Sequence, residues 1–273
     1  MSSDPGQWPM IAAHWDLIGP PLRPTPADIA LVGAAVERWH SELQRPPQVL
    51  ILGVTPEFWS SSWPDGTFVR AADRSPEMIA NVWPGNPRDA ILTEWADLPL
   101  LDCSIDLVLC DGGWHLLDQA GQQRLAAELG RVLTQEGRFV VRLFAPPHAT
   151  ETTDEVVADL WSGAIPSLNH LKLRLGMALA NADGSVKLDD VWTFVNNLEP
   201  DRARLAARLG WNADQLAAID AYRGSTTSYH WRSPSDVVAT LGSKFGVDSI
   251  ESPNYLLGDR CPTLALRRHG RAS

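Results

Sequence analysis

Val49-Leu50-Ile51-Leu52-Gly53 is a run of four apolar residues closed by a glycine, and it is followed by Thr67–Ala72 and then Asp73-Arg74-Ser75-Pro76-Glu77-Met78-Ile79. The first segment reads as a buried strand ending in a tight turn, and the second as a strand that delivers an acid at its tip. An acid about 20 residues past a glycine turn, held rigidly at a strand end, is placed to accept hydrogen bonds from the two hydroxyls of a ribose. Asp73 also suits the start of a helix, because Asp-x-Ser-Pro is a capping pattern. The stretch predicts a parallel sheet and a nucleoside-containing cofactor.

The rest of the chain extends that rhythm. Thr25-Pro26-Ala27-Asp28 starts a helix, with Thr as cap and Pro in the first turn, and Ile29, Val32, Val36 and Trp39 recur at helical spacing until Pro46-Pro47 stops it. Strands are expected at 48–52, 67–72, 90–94, 105–110 and 138–144. Helices are expected at 76–82 and 119–133, the latter ended by Gly137. Short apolar strands alternating with helices imply a parallel sheet covered on both faces. Residues 147–232 read as mostly helical, and 234–245 as one more helix. Two closing strands then follow at 247–252 and 263–268. Four segments result: 1–47, an N-terminal cap helix and Pro-rich loop; 48–146, an α/β core; 147–232, a helical insertion lying over the strand ends; and 233–273, which returns to the core.

Composition narrows the partners. The 273 residues are 44% hydrophobic and 21% charged, which is ordinary for a globular chain, and no apolar run reaches the ~20 residues of a membrane span. Met1–Gly6 lacks the basic start and apolar run of a signal peptide. Cys103, Cys110 and Cys261 are odd in number and unpaired in spacing, so they read as reduced cytoplasmic thiols, and neither cysteines nor histidines show metal-ligand spacing. A net charge of −10 disfavours nucleic acid. Arg202, Arg204 and Arg208 read as a solvated helix face, as do Lys172 and Arg174. A homodimer is compatible with the chain.

Four stretches resemble the class I S-adenosylmethionine-dependent methyltransferase family: Val49–Gly53; Asp73–Met78; Glu94-Trp95-Ala96-Asp97-Leu98-Pro99-Leu100 with Ser104–Val108; and Leu129-Gly130-Arg131-Val132-Leu133 with Glu136–Phe139. The resemblance implies a Rossmann-like, seven-stranded, mostly parallel sheet with helices on both faces, the helical insertion falling between strands five and six. It implies S-adenosylmethionine as cofactor, bound by Gly53, Val54, Thr55, Asp73, Arg74, Met78, Glu94, Trp95, Asp111 and Gly112. In that arrangement Asp73 takes the ribose, Glu94 the adenine amino group, and the Trp95 N–H an adenine ring nitrogen. The chain departs from the family's acidic-x-Gly-x-Gly-x-Gly motif. Ile51 stands at the acid's position, and Thr55 and Glu57 replace two glycines. Glu57 or Asp111 is then expected to meet the cofactor's ammonium group.

Asp111-Gly112-Gly113-Trp114-His115 follows the fourth strand, where the family places substrate or catalytic groups. His115 is the candidate general base, its ordinary pKa lying near neutrality; packing on Trp114 is the other role open to it. Arg23, Trp114, His148, Tyr229 and His230 are candidate acceptor contacts, Arg23 as a carboxylate clamp on a rigid Pro-rich loop. The expected activity is methyl transfer to a small molecule or a short peptide. Two alternatives stand beside it: a non-catalytic binding or scaffold member of the fold, and a methyltransferase acting on RNA or protein.

Overall fold

The computed structural model describes residues 7–269. In chain order the elements are α1 (Trp8–Ala13), α2 (Pro26–Leu43), β1 (Gln48–Leu52), α3 (Pro56–Trp59), β2 (Phe68–Asp73), α4 (Pro76–Asn81), β3 (Ala90–Leu92), β4 (Ile105–Asp111), α5 (Gln119–Val132) and β5 (Leu133–Arg142). They continue with α6 (Thr153–Ser162), α7 (Leu168–Ala178), β6 (Ser185–Lys187), α8 (Leu188–Leu198), α9 (Arg202–Leu209), α10 (Ala213–Ala217), β7 (Ser228–His230), α11 (Pro234–Leu241), β8 (Phe245–Glu251) and β9 (Thr263–Arg268). The chain divides into two compact units. One is Pro24–Ala145 with the segment from Arg232 on, and the other is the segment up to Arg23 with Pro146–Trp231.

The first unit is built on a seven-stranded sheet in the order β3-β2-β1-β4-β5-β9-β8, with only β9 antiparallel to its neighbours. Side chains alternate across it, as the two-residue period of a strand requires. Leu50, Leu52, Val108, Cys110, Phe139 and Val141 share one core cluster with Leu125 and Leu129 of α5 and Val237 and Leu241 of α11. The alternate positions, Val49, Ile51, Leu107, Leu109 and Val140, are also fully buried. Thr25 and Asp28 cap α2 reciprocally, and Trp39 near its end donates to Glu136 O at 3.0 Å. Strand order reverses between β1 and β4, and in open α/β sheets ligands bind at that switch, beyond the carboxyl ends of the strands.

Several boundaries differ from expectation. α5 ends at Val132 and β5 begins at Leu133, so Gly137 lies inside a strand rather than closing a helix. A Cβ there would meet Thr134 O at 2.9 Å, so close packing of the chain on itself demands the glycine. α11 stops at Leu241 because Gly242 takes a φ of +63°, leaving Phe245 free to open β8. Six residues of the Pro-rich N-terminal segment, Trp8–Ala13, form a helix ahead of the prolines. The signal-peptide reading of Met1–Gly6 falls outside the described residues.

The second unit is helical except for a two-stranded antiparallel ribbon of β6 and β7, which the helical reading of 147–232 missed. Its central helix, α7, is buried along most of its length, from Leu168 to Met177. Among the described residues no helix is long and apolar enough to cross a membrane.

Candidate functional site

The turns after β1 and β4 carry the glycines that shape the sheet's switch point. Gly53 holds φ +88°, a conformation that other residues adopt only with strain, and its N–H donates to Ala72 O at 2.8 Å. That bond ties the end of β1 to the end of β2. A Cβ placed on Gly53 would lie 3.9 Å from Asp73 Oδ2 and 3.7 Å from the Trp95 ring. Three predicted cofactor residues, Gly53, Asp73 and Trp95, therefore meet at one point.

Ser75 is the N-cap of α4 and accepts from Met78 N at 3.2 Å, which removes the helix-cap reading of Asp73. Asp73 Oδ1 instead accepts from Ser75 N at 2.8 Å. Burial pushes the Asp73 carboxyl up to about 6, against the lowering effects of the Ser75 N–H and of Arg74. Arg74 and Glu94 are exposed and approach to 4.0 Å at the rim. Val54, Thr55 and Met78 are buried beside the turn.

Trp95 does more than the sequence suggested. Its Nε1 donates to Ala72 O at 2.7 Å, and its ring lies 2.8 Å from where a Cβ on Gly113 would stand. The indole thus spans from the β1 turn to the β4 turn, and glycine at 113 makes room for it. Asp111 is engaged by a partner that sequence reasoning missed. Arg142 Nε donates to Asp111 Oδ1 at 2.5 Å, with the Arg142 side chain fully buried. Burial raises the Asp111 pKa, and the adjacent guanidinium opposes that rise. The signal available in sequence was an arginine within the otherwise apolar run Phe139–Phe144.

Gly112 takes φ +54°, and a Cβ there would come within 2.7 Å of the Phe144 ring. Phe144 stacks near His115, with centroids 5.1 Å apart, and the Arg142 guanidinium sits 5.1 Å from the same ring. His115 is buried against Phe144. Trp114 is corrected as an acceptor contact: it is 1% exposed, packs on Phe139 and belongs to the sheet's core cluster. The Gly112–Gly113 turn separates it from the end of β4, and its ring packs into the sheet's core.

In the second unit the expected acceptor residues separate. Arg23 lies over the Trp15 ring at 5.0 Å and donates to Ile18 O at 3.4 Å within its own loop. His148 is exposed. Tyr229 is buried and accepts from Gln7 Nε2 at 3.4 Å, whereas its strand neighbour His230 is half-buried. Successive strand residues face opposite sides, so Tyr229 and His230 do not line one pocket. Lys172 and Arg174 are not a solvated face: both are buried. Arg174 pairs with Asp159 at 2.7 Å and with Glu151.

The residues present fit a nucleoside. A carboxylate at the tip of β2 faces a positive-φ glycine at the tip of β1, beside an indole, at the switch point of the sheet. At the methionine end, buried Thr55 and half-buried Glu57 stand where the family carries glycines.

Residues 52–141 match the family model described as a methyltransferase domain. Among solved structures, the chain is similar to the CcbJ methyltransferase from Streptomyces caelestis (TM-score 0.55, 15% identity, 98% of this chain and 100% of that chain). It is also similar to a putative zinc-dependent alcohol dehydrogenase from Rhodobacter sphaeroides (TM-score 0.57, 11% identity, 94% and 98%). A third likeness is to the PH0226 protein from Pyrococcus horikoshii OT3 (TM-score 0.50, 13% identity, 94% and 98%). At such identities these likenesses speak for the fold alone. No curated protein matches the sequence. The match supports a methyltransferase domain over residues 52–141, about a third of the chain.

Proposed function

We propose that the chain methylates a small molecule or a short peptide, with the cofactor's nucleoside held at the Gly53–Asp73–Trp95 junction. The observation that carries this reading is the 3.9 Å approach of Asp73 Oδ2 to the Cβ position of Gly53. It sets a carboxylate beside backbone that carries no side chain of its own, which is what a ribose edge needs. S-adenosylmethionine, when bound, supplies a methyl group already activated on a sulfonium.

The work left to the protein's residues is therefore positioning and exclusion of water. Asp73 accepts from the ribose hydroxyls, and Glu94 at the rim accepts from the adenine amino group. Val54, Met78 and Trp95 give the base an apolar surround. Glu57, at the start of α3 beyond the β1 turn, is the acid assigned to the ammonium group. His115 is the candidate base where the acceptor's nucleophile carries a proton.

The test is incubation of the protein with methyl-labelled cofactor and four acceptor pools: small hydroxy- and amino-acids, short peptides, RNA, and folded protein. Label in the first or second pool supports the reading. Label confined to RNA or to folded protein would replace it with the macromolecular alternative, and label nowhere, despite cofactor binding, would favour the scaffold alternative.

A further inference from the structure

Lys172 is a buried cation with no counter-charge among the described residues. Its side chain is within a helix buried on most sides, and the residue is 6% exposed. Nζ stands 4.4 Å from the centroid of the Tyr222 ring, and among the described residues it makes no hydrogen bond and no ion pair. Four carboxylates of the same unit are committed elsewhere. Glu151 and Asp159 hold Arg174; Asp220 accepts from Trp192 Nε1 at 2.7 Å and meets Arg202; Asp189 accepts from Gly224 N at 2.6 Å. Burying an ammonium without a counter-charge is costly, and one aromatic face offsets only part of that cost. Burial lowers the Lys172 pKa to about 8.

Polar and aromatic groups gather around this cation. Asn169, Lys172 and Gly176 fall on one face of α7, three and four residues apart. Asn169 is itself buried, and its Nδ2 lies 3.6 Å from the Cβ position of Gly19 in the Pro-rich loop. Gly176 lets Trp231 lie flat on the helix: the indole Nε1 donates to Gly176 O at 2.8 Å, and a Cβ would meet its ring at 2.9 Å. Trp231, Tyr229 and Tyr222 then follow edge to face, with centroids 5.7 and 6.3 Å apart, ending over Lys172. A cation with three donors, a carboxamide and a row of aromatic faces matches a planar body carrying one anionic oxygen group.

We infer that this face of α7 is an anion-binding subsite for the acceptor, with Lys172 as the charge that receives an aromatic carboxylate. The inference rests on the methyl-transfer reading for the word acceptor, but the subsite itself is testable without turnover.

The test titrates the protein, saturated with S-adenosylhomocysteine, with benzoate and with its neutral counterpart benzamide. Benzoate is expected to bind tighter by about tenfold or more, the worth of a charged hydrogen bond. Lys172→Met should abolish that preference and Lys172→Arg should retain it, both leaving S-adenosylhomocysteine binding unchanged. Arg208→Gln is the control, since Arg208 stacks on Trp161 at 3.6 Å in a separate cavity of about 400 Å³. It should leave the preference in place. Equal binding of the two probes by the wild-type protein overturns the subsite whatever the variants do. A preference that survives Lys172→Met, or disappears in Arg208→Gln, also overturns it. Should S-adenosylhomocysteine fail to bind while the benzoate preference holds, the subsite stands and the methyl-transfer reading falls.

Discussion

Asp111, the last residue of β4, and Arg142, the last residue of β5, are partners in the parallel register and share a buried ion pair. The pair fixes the ends of two central strands at the point where the Gly112–Gly113 turn leaves the sheet. A pair of this kind contributes little against an apolar replacement, but a lone survivor of it is costly. Arg142→Met, which strands Asp111, should destabilise the fold by about 3–5 kcal/mol in a denaturant titration. Asp111→Leu combined with Arg142→Met should recover much of that loss. Equal stability of the single variant and the wild type would mean that the pair is not formed.

Asp73 gives a pH signature with a definite sign. Its folded-state pKa of about 6 lies above the usual value for an aspartate, so the folded chain holds the proton more tightly than the unfolded chain. Its contribution to stability is present at low pH and is lost as pH rises from about 4 to about 6, by up to about 3 kcal/mol. Ligand binding runs the other way, because ribose hydroxyls donate to the carboxylate. S-adenosylhomocysteine should bind progressively more weakly as pH falls below about 6. Asp73→Asn should flatten both dependences, and curves that coincide with those of the wild type would remove Asp73 from the site.

Gly53 is held at φ +88° with ordinary van der Waals space around its Cβ position. The cost of Gly53→Ala is therefore backbone strain, about 1–2 kcal/mol of stability. The added methyl also projects toward Asp73 Oδ2, so cofactor affinity should fall by more than the stability does. Thermal unfolding with and without S-adenosylhomocysteine separates the two effects.

His115 is buried against Phe144. His115→Gln should leave S-adenosylhomocysteine affinity within about twofold of wild type and lower turnover by roughly a hundredfold or more, the usual worth of a positioned base. An unchanged kcat would assign His115 to packing.

Much of the sheet was legible because its period is short and its strands are apolar. β1 and β9 fall where alternation and turn residues put them, and the Asp73–Met78 run lies across a strand end and a helix start as read. Sequence could not show what two remote segments do when they meet. Arg142 and Asp111 are thirty-one residues apart, and only their parallel pairing makes one the partner of the other. Trp95 read as a backbone contact because a pattern match carries no side-chain direction. Lys172 and Arg174 read as a wet helix face because helical spacing alone does not say that α7 is covered on nearly every side. The β6–β7 ribbon escaped notice because three-residue strands carry almost no periodic signal.

The most direct measurement is a calorimetric titration of the wild-type protein and of Asp73→Ala with S-adenosylhomocysteine at pH 7.5. The account predicts saturable one-to-one binding by the wild type and a loss of about 1–3 kcal/mol in the variant, the worth of charged hydrogen bonds to the ribose. Equal affinity of the two proteins would contradict the placement of the nucleoside at Gly53 and Asp73, and no binding by a folded wild-type protein would contradict the site altogether.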